Sequence, residues 1–131
     1  MALVVPDEGE RRLLDYIVNR EIAIHLYTNS VALSGETFDT ASFTEATETG
    51  YASQTLTHSG WTAGISTTGG ISAALYDNGI TFTFATGQDV QGYYMTDTSN
   101  QILWAEEFPG APFQLPTGGG DIAVRPQLQL D

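Results

Sequence analysis

The apolar pattern changes period at Arg20, and that change constrains the fold more than any other feature of the sequence. Before it, Leu13, Leu14, Ile17 and Val18 recur at i, i+1, i+4 and i+5, one stripe on a helix spanning residues 7 to 20. Its ends agree with its middle. Asp7 stands where an N-cap is wanted with Glu10 three residues on, acids fill the first turn, Arg11 and Asp15 are spaced for an i,i+4 pair, and Arg20 closes the C-terminal end. A helix this short is marginal alone in water, so it must dock on other structure.

After Arg20 apolar residues alternate with polar ones in short runs separated by Gly, Asn, Ser or Pro. Ile22, Ile24 and Leu26 alternate with Ala23, His25 and Tyr27. Further candidate strands run from Tyr51 to Leu56, Trp61 to Ser66, Ile71 to Tyr76, Ile80 to Ala85, Val90 to Thr96, Ile102 to Phe108 and Ile122 to Leu130. The pattern predicts an all-β fold, an antiparallel β-sandwich of jelly-roll type behind one short N-terminal α-helix. A single domain is expected over residues 1–131, with arm and helix in 1–20 and the sandwich in 21–131.

Two hairpins have an expected register. Asn78-Gly79 is a strong type I′ signal; pairing Asp77 with Ile80 puts Ile71, Ala73, Leu75, Ile80, Phe82 and Phe84 on one apolar face. A symmetrical turn over Asp97-Thr98-Ser99-Asn100 sets Tyr93 opposite Trp104 and Met95 opposite Ile102. The second face of that pair, with Val90, Tyr94, Leu103 and Ala105, is apolar too. It wants two covers, either the other sheet and the helix, or a neighbouring subunit. Ser34 to Gly50, rich in Ser, Thr, Gly and acid, reads as a long loop, and Gly118-Gly119-Gly120-Asp121 as a tight turn into the last strand.

Charge narrows the partners. Sixteen acids stand against four arginines, a net charge of -12, so the clustered cations that hold phosphate are missing and neither nucleic acid nor an anionic membrane is an expected partner. The N-terminal Met1-Ala2-Leu3-Val4-Val5-Pro6 lacks a basic leader, and no apolar run is long enough to span a bilayer. With no cysteine, a disulfide framework and a thiolate metal site are excluded.

Chemistry finds little foothold in the motifs. His25 sits opposite the apolar face of its strand and His58 precedes Ser59-Gly60 in a turn; neither belongs to a catalytic or metal-binding pattern. There is no G-x-S-x-G elbow, no phosphate-binding glycine loop and no calcium loop. Glu106-Glu107 are neighbours on a strand and point to opposite faces, the wrong geometry for a shared dyad. No catalytic residue, cofactor or metal ligand is therefore predicted, and the chain reads as a non-enzyme. Tyr93, Tyr94 and Trp104 form either a sugar-binding platform or part of a core.

Several short segments carry a resemblance. They are Pro6-Asp7-Glu8-Gly9-Glu10 leading into the helix, Phe43-Thr44-Glu45-Ala46, Gly50-Tyr51-Ala52 and Gly92-Tyr93-Tyr94. Leu103-Trp104-Ala105-Glu106-Glu107-Phe108 and Gly120-Asp121-Ile122-Ala123-Val124-Arg125-Pro126 complete the set. This layout resembles small structural proteins of tailed bacteriophages, of the capsid decoration (cement) type. The resemblance implies a virion component without enzymatic activity that forms β-rich trimers on the outer capsid surface. Its partners would be the major capsid protein and copies of itself.

Three of the four arginines, Arg11, Arg12 and Arg20, lie in the helix behind an apolar arm. The expected contact residues are therefore Leu3, Val4, Val5, Arg11 and Arg12, with Tyr93, Tyr94 and Trp104 at a subunit interface. A tail or baseplate subunit and a carbohydrate-binding β-sandwich module remain as alternatives.

Overall fold

The computed structural model describes residues 2–62 and 65–130. In chain order its elements are helix α1 (Asp7–Val18), strands β1 (Ile22–Tyr27) and β2 (Gln54–Leu56), a single helical turn α2 (Ser59–Thr62), then β3 (Ser66–Thr68), β4 (Ile71–Leu75) and β5 (Ile80–Phe84). After these come β6 (Asp89–Val90), β7 (Gly92–Thr96), β8 (Ile102–Glu107), β9 (Phe113–Gln114), β10 (Gly120–Val124) and β11 (Gln127–Leu130). The fold is mostly β, antiparallel and sandwich-like with one helix of several turns, as the change of period predicts. The chain divides into two compact units, one made of Met1–Glu21, Leu56–Ile80 and Val124–Asp131, the other of Ile22–Thr55 and Thr81–Ala123.

The first unit is a helix on a three-stranded sheet of order β11-β4-β3. Helix α1 lies on the face that carries Ser72, Ala74 and Leu128, where small side chains on the central strand let it approach closely. Its buried residues are Glu10, Leu14 and Val18, one i,i+4 row, while Leu13 of the expected stripe is 48% exposed. Glu10 is tolerated there because Ser72 Oγ donates to its carboxylate at 2.7 Å. The Ser72 hydroxyl lies 2.8 Å from Thr67 Oγ1, which accepts from Arg11 at 2.5 Å. Glu10 is thus no partner in a capping box. Pro6 occupies the N-cap, and Asp7 is already helical.

Three expectations fail for segments that begin or end in this unit. The segment from Trp61 does not enter a strand: Gly60 N–H bonds Thr57 O and Trp61 N–H bonds His58 O, winding a turn that buries Trp61 edge-on against Tyr76 at 5.2 Å. Residues 63 and 64 of that expected strand lie outside the described residues, and pairing begins only at Ser66. The Asn78-Gly79 hairpin does not form either. Gly79 takes a positive φ of 67° and closes a turn onto Tyr76 O, one residue early, after which β4 pairs with β11 and β3 while β5 pairs with β10. Consequently β4 buries Ser72 and Ala74 rather than Ile71, Ala73 and Leu75, whereas β5 buries Phe82 and Phe84 as expected. Finally, the expected strand from Ile122 to Leu130 breaks at Arg125-Pro126. Proline has no amide hydrogen to continue a ladder, and β10 and β11 join different sheets.

The second unit holds a four-stranded sheet, β2-β1-β7-β8, with the pairs β5–β10 and β6–β9. Tyr51 stacks over Phe82 at 5.9 Å and Phe84 at 5.5 Å. Strand β7 is buried along its whole length. The β7–β8 hairpin forms, but Asp97 pairs with Gln101 around a three-residue loop in which Asn100 adopts φ 59°. With a bulge after Met95, Met95 faces Trp104 and Tyr93 faces Glu106, two residues from the symmetrical register. The second apolar face of this pair is covered by the loop after β1. Val31, Leu33, Phe38 and Phe43 pack on Tyr27, Tyr94, Ile102 and Ala105.

Candidate functional site

Strand β1 turns Ile22, Ile24 and Leu26 to the interior and His25 to the opposite face, where the covering loop brings Glu45. His25 Nδ1 lies 2.9 Å from Glu45 Oε1 and Nε2 lies 2.9 Å from Thr96 Oγ1. With the carboxylate as acceptor, the ring donates from Nδ1, and a neutral imidazole then accepts from the threonine hydroxyl at Nε2. Tyr51 O–H donates to the same carboxylate oxygen at 2.8 Å and accepts from Leu26 N–H at 3.0 Å. The Tyr94 ring is stacked on the imidazole, with centroids 4.7 Å apart.

Neutral tyrosines suit this setting. Burial raises the Tyr51 phenol far above its ordinary range, against the opposing Leu26 amide and with help from the Glu45 charge. Burial, and then Glu45, raises Tyr94 from 10.0 to about 12; burial, and then Glu107 and Glu106, raises Tyr27 from 10.0 to about 12.

Thr96, His25 and Glu45 follow the order hydroxyl, imidazole, carboxylate that activates a nucleophile in acyl transfer. Here the hydroxyl belongs to a residue 2% exposed, so Thr96 Oγ1 does not face a space where a substrate carbonyl could sit. What the arrangement does is tie the loop at Glu45 to β1 and β7. Glu45→Ala is expected to destabilise the chain by about 1–3 kcal/mol, because it leaves the His25 and Tyr51 donors without their acceptor, and Glu45→Gln by less. Urea unfolding of both variants measures this; equal stability of wild type and Glu45→Ala would remove the network as a structural tie. Motif reading missed these residues because they stand far apart in sequence and share no spacing rule.

The expected contact residues fall into two groups. Leu3 is 91% exposed, Val4 82% and Val5 38%, and Arg12 projects to solvent, where it pairs with Glu8 at 3.2 Å. Arg11 is half-buried on Thr67, and Arg20 lies over the Tyr16 ring at 5.5 Å. Tyr93 and Tyr94, by contrast, are interior, with Tyr93 O–H donating to Glu106 at 2.6 Å; Trp104 is half-buried on the edge strand β8. His58 pairs with Asp15 at 3.1 Å on the surface of the first unit.

Among the described residues no three His, Cys, Asp or Glu side chains converge as metal ligands, and no helix is long and apolar enough to cross a membrane. Compared with protein-family models, with curated proteins and with solved structures, the chain matches none.

Proposed function

We propose that the chain is a non-enzymatic structural protein of a tailed-bacteriophage particle, a decoration (cement) protein that binds the major capsid protein on the outer shell and assembles with copies of itself. The observation that carries this reading is an apolar arm standing free on an acidic body. Leu3 and Val4 are almost fully exposed, and on α1 Leu13 and Tyr16 are exposed as well, at 48% and 66%. Exposed apolar side chains clustered at one end of a chain with net charge -12 suit insertion into a partner groove while the remaining surface stays solvated. The part-buried network at His25 suits a fold held rigid for assembly. A glycan platform has less support, because Tyr93 and Tyr94 are buried.

The test is binding to undecorated shells, followed by imaging. Burying Leu3 and Val4 in a partner is worth about 3 kcal/mol or more, so deletion of residues 1–5 is expected to weaken shell binding by on the order of 100-fold while leaving the β-rich circular dichroism spectrum unchanged. Undiminished binding by the deleted chain would remove the arm as anchor. Binding of the intact chain to tails rather than shells would move the protein to the tail.

A further inference from the structure

The outer face of the β11-β4-β3 sheet, opposite helix α1, carries no charged residue on its strands. The pairing register sets Gln127 beside Leu75, sets Gln129 and Ser66 on either side of Ala73, and sets Thr68 beside Ile71. Ile71, 42% exposed at the start of β4, and Ala73 line a shallow hollow together with Ser66, Thr68, Gln127 and Gln129. An apolar central strip with a rim of neutral hydroxyls and amides is the make-up of a protein interface. Among the described residues, Asp77 and Arg125 lie at one end of it, 4.0 Å apart and of opposite sign.

We infer that this face binds the same face of a second copy of the chain. The occupant follows from charge. Two bodies of net charge -12 repel wherever acids meet, so copies approach at lowest cost through a face whose described strands carry none. Contact between two identical faces is isologous and produces a two-fold pair, where the sequence resemblance implies a trimer. Ile71 of each copy enters the hollow of the other, and the sheet's polar side chains bond across the rim. The inference rests on the self-association part of the proposed function and is independent of shell binding by the arm.

Sedimentation equilibrium of the full chain, from micromolar concentrations to about 1 mM, tests it. Wild type is expected to approach twice the 14.1 kDa chain mass. Pairing should tighten as salt rises from about 0.02 to 0.5 M, because screening relieves the repulsion between bodies; a contact made of ion pairs would loosen instead. Ile71→Glu brings two carboxylates into the paired, otherwise uncharged face and is expected to weaken pairing at least ~10-fold. Gln129→Glu, a milder change at an exposed position, should weaken it in the same direction, and Ala123→Glu on exposed β10 should leave it unchanged. Wild type that pairs while both Ile71→Glu and Gln129→Glu pair as strongly would overturn the face and keep self-association. Wild type that stays at the monomer mass over the whole range would overturn both, and pairing that loosens with salt would overturn the charge argument.

Discussion

Gly92→Ala is expected to lower the stability of the chain by about 3 kcal/mol, the upper end for overpacking, and its melting temperature by about 10 °C. Gly92 opens the fully buried strand β7 and pairs with Tyr27 of β1 on one side and Glu107 of β8 on the other. A methyl group there would run into the Glu106 carbonyl oxygen and come within 2.9 Å of both the Glu107 Cα and the Tyr27 ring. Two of these obstacles are backbone atoms of β8, which cannot swing aside as a flexible side chain would. Relief requires β8 to shift away from β7, and that shift disturbs the Tyr93 to Glu106 hydrogen bond as well. Gly118→Ala makes the control, since nothing lies within 4 Å of a Cβ there and its φ is not positive. Thermal and urea unfolding of the two variants should separate widely; a Gly92→Ala chain as stable as Gly118→Ala would show that β8 does not pack over Gly92 as described.

The chain is also expected to unfold as pH rises from 10.0 towards about 12, where its buried tyrosines are forced to ionise. Tyr27 and Tyr94 hold their protons to about 12 in the folded chain against 10.0 in the unfolded one, and Tyr51 holds its proton more tightly still. Because folding raises these values, their contribution is fully present below 10.0, the unfolded value, and is lost as pH rises through it; for Tyr27 and Tyr94 the loss is complete near 12. Two groups each shifted by two units amount to an upper bound of roughly 5 kcal/mol, comparable to the whole stability of many domains. Tyrosinate absorbance should contain one step, from the buried phenols, that coincides with the loss of the circular dichroism spectrum. Tyr94→Phe keeps the ring on His25 and Phe43 and removes one proton from the balance, so its transition should move to higher pH. Ionisation of all six tyrosines near 10.0 with the β spectrum intact would contradict the buried cluster.

The fold class was legible in the sequence because alternation reports burial of one strand face regardless of which strand lies beside it. Partners were not legible, for the same reason. Asn78-Gly79 encodes a turn, and a turn forms; the pairing of the strands on either side of it is decided by β11 and β10, some fifty and forty residues downstream. The face of β4 was misjudged because Ser72 and Ala74 look like a solvent side by hydropathy, yet small residues are what a helix lying across a sheet requires. Glu10 misled in a related way. A first-turn acid is ordinarily exposed, and only the Ser72 hydroxyl, 62 residues away, makes its burial tolerable. Of the candidate contact surface, the arm could be read from its composition, whereas Tyr93 and Tyr94 could not be assigned until the loop bearing Phe38 and Phe43 was seen to cover them.

The interleaving of the two units has a consequence for how the chain is born. Strand β4 pairs with β11, so the sheet beneath α1 closes only when residues 127–130 have left the ribosome. Until then α1, finished more than a hundred residues earlier, has only β3 and β4 to lie on, with the long edge of β4 open. A topology of such high contact order folds slowly, and the nascent chain carries an unpaired strand edge through much of its synthesis. The absence of charge on that sheet's outer face then becomes a hazard as well as a feature, because charge is one of the devices that keep open edges of neighbouring chains apart.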